Sequence, residues 1–455
     1  MKRISKIVLA TATIVFVSCQ KKEQTAEISQ EKPKNQTENV VATPNVSAEN
    51  AQKVKFSPES KIVLGGAVEK TGGFADAGNL TYPTNVIVID DKAFPDPKQK
   101  RVAFTNAIAS GAVNSEKLTE DACLILLSGT VDLSDGLVSD SDHSYFDEFN
   151  PETHEKVHAD FLYDVGSNKT IIGVENARVA YGGLRIKARP TNTAKNVIIR
   201  NIQFWDAHGS TDFDTKIPEF SEKKAGADQI SVEGTYAKGE YLSEFIPENI
   251  WIDHCSFSDG VCVDLDRNYN HDGALDVKAV HDMTISWCEF TNHDKVTLVG
   301  SSDKFTQSED RRITLHHNFY HGAVQRMPRS RGCQIHIYNN VYDQIGTEKN
   351  HGYSLGPGIG SLFIVENNFF GAHKGKILRY ADKSKAEDST FSKLFVSGNQ
   401  TELDSSNSEE FEKHAVAEKP FNIPYEYALS PVADAEKSVR ENAGAKMPIS
   451  FERLQ

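Results

Sequence analysis

Cysteine is scarce in this chain. Six occur in 455 residues, at positions 19, 123, 255, 262, 288 and 333, and none form a CxxC pair. That excludes the usual zinc-ribbon and thioredoxin-type spacings. With Cys19 set apart, the odd number remaining leaves at least one thiol unpaired, so the fold needs no disulfide framework. Long apolar runs are also missing: beyond Val17 no segment is apolar enough to span a bilayer. Basic residues are in the minority, with 50 Lys and Arg against 64 Asp and Glu and a net charge of −14. That balance opposes a nucleic-acid partner. Glycosidase motifs are absent as well.

The first nineteen residues, MKRISKIVLATATIVFVSC, join a basic start to an apolar stretch and a small residue before Cys19. This is the pattern of a secretory signal, with Cys19 as the expected site of lipidation, although Phe16 stands where Leu is commoner. The expected location is therefore the cell envelope, with membrane contact only through a lipid on Cys19. Residues 20–55 are polar, lack aromatics until Phe56 and carry Pro33 and Pro44, the composition of a flexible tether. Residues 56–455 remain for one large domain.

Within that domain a short pattern recurs. VIIRNIQF, IWIDHCSF, MTISWCEF, ITLHHNFY, IHIYNNVY, FIVENNFF and LFVSGNQT each alternate apolar and polar residues and then reach a small polar residue. Aligned, that position reads Asn201, Cys255, Cys288, Asn318, Asn340, Asn368 and Asn399, at intervals of 22 to 54 residues. A period-2 strand repeated at coil-length spacing predicts a right-handed single-stranded parallel β-helix, with the solenoid core from about 160 to 400. The Asn amides are expected to stack in a ladder and, in the left-handed region, to turn the chain. Insertions at 205–228 and 234–248 are expected as long loops on one side. KQKRVAFTNAIASGAV (98–113) has helical spacing and is expected to cap the open apolar end. SNSEEFEKHAVAEK (406–419) also reads as helix, lying over the outside.

Three features carry chemistry. Asp228, Asp272 and Asp276 form a candidate oxygen-only cation site: Asp272 and Asp276 share one strand face, and adjacent coils bring Asp228 beside them. Lys295 follows in the next coil. Arg326, Arg329 and Arg331 then crowd into HGAVQRMPRSRG, an arrangement suited to forking the carboxylates of a polyanion. Arg329 receives no role. DLDRNYNHDG resembles the start of an EF-hand loop, but Tyr269 and Leu275 replace its turn Gly and bidentate Glu. In WIDHC the alternation puts Asp253 and His254 on opposite faces, and a packing role is preferred to a catalytic pair.

SNKTIIGVENARVAYGGLRIK, NVIIRNIQFWD, NIWIDHCSFSDG, DGALDVKAVHDMTISWCEFTNHDKVTLVGSSD and ITLHHNFYHGAVQRMPRSRGCQIHIYNN together resemble the pectate lyases of polysaccharide lyase family 1, in order and over about 160–370. The resemblance implies a Ca²⁺-dependent enzyme that cleaves polygalacturonate or pectin by β-elimination; nothing in the sequence establishes an oligomer, and a monomer is expected. It implies Ca²⁺ held by Asp228, Asp272 and Asp276, Lys295 and Arg331 on the substrate carboxylates, and Arg326 as the base at C5. One departure is Gly226-Ala227-Asp228, where some relatives carry D-x-D. A free guanidinium keeps its proton at neutral pH, so like-charged neighbours are required to loosen it, and an alkaline optimum is implied. Alternatives are a pectin lyase, which would lack the carboxylates, a galacturonan hydrolase on the same fold, and a non-catalytic lipoprotein that binds acidic glycans.

Overall fold

The computed structural model describes residues 53–454, apart from 144–148, 151–154, 157–160, 208–210, 214–221, 225–227, 238–239, 262, 264, 266–270, 305–309, 381–390 and 403–410. The signal and residues 20–52 of the expected tether lie outside the described residues, as do Cys262 and the first acidic positions of the EF-hand-like loop, whereas Val54 and Lys55, expected in the tether, belong to a paired strand.

Alternating apolar strands, too short to stand alone, wind into three parallel sheets of ten, eight and nine strands among the described residues. Together they form a right-handed parallel β-helix. The central sheet runs from Val86–Ile89 and Cys123–Leu127 through Lys195–Arg200, Glu248–Asp253, His281–Ser286, Arg312–His316 and Gln334–Tyr338 to Lys393–Ser397. The stack therefore begins well before residue 160. Its first strands, VIVI and CLILL, are apolar almost throughout, because segments pack on both faces, so neither shows the alternation that marks the later coils.

The interior is layered. Phe204, Phe257, Phe290, Tyr320, Tyr342 and Phe370 stack ring on ring, with centroids 4.7–5.1 Å apart. Beside them runs the amide ladder. Asn318 Nδ2 donates to Asn340 Oδ1, Asn340 Nδ2 to Asn368 Oδ1 and Asn368 Nδ2 to Asn399 Oδ1, each at 2.9 Å. The left-handed residues are those just before the ladder: His254, Trp287, His317, Asn339 and Asn367 all have positive φ. Asn201 belongs to that turn position, since the register sets Arg200 opposite Asp253 and hence Asn201 opposite His254. Its amide bonds to the Gly173 carbonyl, 2.9 Å away, and it is no rung of the ladder.

Asn340 is buried, and both its amide nitrogen and its carbonyl oxygen bond to neighbouring coils. Asn340→Leu keeps the volume and strands those partners. Each unsatisfied buried group costs about 1–3 kcal/mol, so a loss of about 2–4 kcal/mol is expected in chemical denaturation. An unmoved midpoint would show that the ladder adds nothing to stability.

The helix Pro97–Ser110 starts on Asp96, whose carboxylate accepts from the Gln99 amide at 2.8 Å, and ends at Gly111 with φ +78°. Its Phe104 and Ile108 bury against Ile125, Val131 and Leu133 at the N-terminal end of the solenoid. The segment 406–419 falls partly outside the described residues. A C-terminal helix runs over Val432–Asn442 and packs Val432 and Val439 on Phe319, Val341 and Phe369. Near the two ends of the described residues, Val54–Phe56 pairs antiparallel with Phe451–Arg453. Among the described residues no helix is long and apolar enough to cross a membrane.

Candidate functional site

The eight-stranded sheet carries the polar residues picked out from the sequence. Its successive strands Ile230–Glu233, Leu275–Val277, Leu298–Val299 and Arg329–Ser330 each follow or contain one of them. Asp228 precedes the first, Asp276 lies in the second, Lys295 precedes the third and Arg326 the fourth. Bridges from Gly273 to Lys295 and from Lys295 to Gln325 align these approaches, so four coils deliver their side chains to one stretch of surface.

Asp228 and Asp276 are buried. Asp228 Oδ1 accepts the Gly273 amide at 2.9 Å, and Asp276 Oδ1 accepts the Leu298 amide at 2.8 Å. Gly273 makes room for both carboxylates: a Cβ there would sit 2.4 Å from Asp276 Oδ1 and 3.0 Å from Asp228 Oδ1. Burial, followed by the Asp272 charge, pushes the Asp228 carboxyl up to about 6. Burial, then Asp228 and Asp272, holds Asp276 well above the usual carboxylate range. Carboxyl groups that raise one another in this way favour a shared cation. Asp272 differs, being 41% exposed and ion-paired with Lys295 Nζ. Among the described residues no three acidic, His or Cys side chains close into a finished metal cage. The donor chemistry nonetheless suits a hard cation: two carboxylates converge on the space that Gly273 leaves, and Asp272 can join them by releasing Lys295.

Arg326 has φ +66°, uncommon for arginine, and its charge acts on Asp276. Its Nε is buried without a hydrogen-bond partner among the described residues, as is that of Arg329. Arg331 is already engaged, with Nη1 on the Gly300 carbonyl at 3.0 Å and Nε on Asp303. Arg329 is half-buried rather than freely exposed, because it sits within the sheet beside Leu298 and Gly356.

The sequence reading missed His293. Its Nε2 lies 3.0 Å from the Asp272 carbonyl and 3.1 Å from that of Lys295, and Nδ1 faces Asp259. A single imidazole thus ties together the backbones that carry the acidic and the basic residue. The only signal was its place in HDK. Asp253 and His254 do not diverge. The left-handed turn at His254 breaks the alternation, and His254 Nδ1 reaches Asp253 Oδ2 at 2.7 Å. Asp253 also binds Arg200 at 2.8 Å, so the pair is part of a buried network on the central sheet, away from the carboxylates. A hollow lined by Gly72, Phe74, Arg312 and Tyr425 also lies beside the central strands, not at this site.

The fold and surface define a β-solenoid whose flank presents a carboxylate cluster beside Arg326 and Arg329, which have no ion-pair partner among the described residues, a form suited to an acidic polymer. A family model described as pectate lyase matches residues 152–447, and the chain belongs to that family. It is 39% identical to a pectate trisaccharide-lyase of Thermotoga maritima over 180 residues, 39% of this chain and 40% of that protein. With a pectate lyase of Bacillus subtilis the identity is 34% over 49% of this chain and 52% of the relative. With pectate lyase D of Dickeya chrysanthemi it is 29% over 71% and 78%. The match thus spans about half or less of the first two of these relatives. Among solved structures, the thermostable pectate lyase PL 47 superposes with a TM-score of 0.61 and 27% identity, over 84% of this chain and 98% of that one.

Proposed function

We propose that this protein is a Ca²⁺-dependent pectate lyase that cleaves (1→4)-linked α-galacturonan by β-elimination. The observation that carries the reading is the convergence, from consecutive coils, of mutually repelling carboxylates at Asp228 and Asp276 with Lys295 and Arg326. Asp228, Asp272 and Asp276 would hold the calcium, which when bound supplies positive charge for a sugar carboxylate. Lys295 exchanges Asp272 for that same carboxylate. The proton at C5, α to the carboxylate, is acidic, and Arg326 removes it in the neutral guanidine form, having first released its own proton to solvent. The C5–H electron pair becomes the C4=C5 double bond as the C4–O bond breaks, and the departing oxygen is protonated from solvent. Charge that develops on the uronate is met by Lys295, an interaction stronger in the transition state than in the ground state. Arg331, fixed by Gly300 and Asp303, orients the substrate.

Mixing the protein with polygalacturonate and Ca²⁺ tests this reading. The expected result is growth of the ultraviolet absorbance of a double bond conjugated to a carboxylate. New reducing ends without that absorbance would indicate a hydrolase, and neither signal would indicate a binding protein. The proposal extends to location, with the enzyme tethered by a lipid on Cys19. Labelled fatty acid should enter the wild-type protein made in a bacterial host and not Cys19→Ala. Equal labelling of both would refute the anchor.

A further inference from the structure

The eight-stranded sheet treats its cations unequally. Upstream of the carboxylates, Arg185 and Arg189 both contact Asp164, at 2.6 and 2.7 Å. Level with the carboxylates, Lys187 and Lys278 both contact Glu233, at 3.0 and 2.6 Å. Downstream, Arg331 is paired with Asp303, but Arg329 and Arg379 have no ion-pair partner among the described residues. In a chain with 64 acidic against 50 basic residues, partners are plentiful, so unpaired arginines on a face where other cations are paired call for an explanation.

Register places these two together. Leu298 pairs with Arg329 and Arg329 with Gly356, while Leu355 pairs with Leu378, which sets Arg379 beside Gly356. The intervening Val299, Ser330, Leu355 and Leu378 are buried, so the alternation turns Arg329 and Arg379 outward in one column. That column continues from Asp276 by way of Leu298. A Cβ at Gly356 would stand 3.3 Å from the Arg329 Cβ and 2.7 Å from the Tyr353 ring. The Arg379 guanidinium lies over the same ring, 5.4 Å from its centroid, which restricts its rotamers before any ligand arrives.

We propose that Arg329 and Arg379 extend the substrate groove on the C-terminal side of the reacting residues, where they bind carboxylates of sugars beyond the bond being cleaved. The ligand class is a uronate polymer running across the strands. The two arginines are two strands, about 10 Å, apart, which suits separate carboxylates rather than one shared anion. The inference rests on the pectate lyase reading and adds a direction: the polymer is held more firmly on the side of the later coils. That asymmetry would set where along a chain the bond is broken.

Arg329→Gln, Arg379→Gln and the double variant test it. For each, kcat/KM is measured on polygalacturonate and on trigalacturonate, with folding checked by circular dichroism. Arginine–carboxylate contacts at partly exposed sites are typically worth about two- to fivefold each, so the polymer-to-trimer ratio is expected to fall about fivefold or more in the double variant, mostly through KM. An unchanged ratio would overturn the proposal, as would an equal loss on both substrates, which marks a general effect on field or structure. If the wild type forms no unsaturated product, the lyase reading itself fails. Migration through gels containing polygalacturonate or a neutral glucan then decides the groove alone. Retardation by the acidic polymer that the double variant loses supports it, and retardation that persists overturns it.

Discussion

Arg326→Lys is expected to reduce turnover on polygalacturonate by about 10²–10⁴-fold, the usual contribution of a positioned proton-transfer group, with little change in polymer binding. Lysine keeps the charge, so attraction for the polyanion persists. It loses the planar fork and moves the nitrogen that must reach the C5 proton. The backbone at residue 326 is left-handed, and its carbonyl accepts the Thr297 amide at 2.7 Å. That bond is made by the backbone, so lysine keeps its acceptor, and circular dichroism of the variant checks that the turn and fold persist. Initial rates of unsaturated product at saturating calcium give the measurement. Near-normal turnover in Arg326→Lys would move the base elsewhere. Arg331→Lys should instead raise KM with a smaller loss of rate, because Arg331 is held by Gly300 and Asp303 rather than free to act on a proton.

Asp276→Asn is expected to raise the calcium needed for half-maximal activity by at least about 100-fold, given that even outer partners of a metal site cost 10–100-fold. A chelator should abolish cleavage by the wild type. The same substitution has an opposite effect on stability in metal-free buffer. Burial together with Asp228 and Asp272 raises the Asp276 carboxyl, so its ionised form is penalised in the folded state. A folded-state value above the unfolded one means that stability from this group is full at low pH and declines as pH rises. Asparagine removes that penalty and can still accept the Leu298 amide through its Oδ1. Metal-free Asp276→Asn should therefore unfold at a higher temperature than metal-free wild type near neutral pH. Calcium should reverse the order by stabilising only the wild type. If excess chelator leaves activity intact, or calcium stabilises both proteins equally, these carboxylates do not hold the metal.

Much of this was legible in the sequence because it depends on period and spacing. Alternating strands ending in Asn predict a ladder, and Asn318, Asn340, Asn368 and Asn399 form one. The helix near 98–113 could be read from Phe104 and Ile108. Errors arose where alternation is interrupted. A left-handed residue shifts the face of whatever follows, which is why Asn201 moved out of the ladder and why His254 meets Asp253. The opening strands were missed because segments cover both faces and erase the polar half of the pattern.

The sequence by itself determined the class of fold, the order of the motifs and the residue types brought to one flank, since these follow from a repeat that each coil obeys locally. Only the tertiary structure decided which cations are free. Asp164, Glu233 and Asp303 come from different coils or loops, and pairing across coils has no signature along the chain. It also decided that Asp272 engages Lys295 while Asp228 and Asp276 are buried together, and that Arg329 and Arg379, fifty residues apart in sequence, share one column. The physical reason is the same in each case: a solenoid sets neighbours by register between coils, and register depends on the length of every intervening loop.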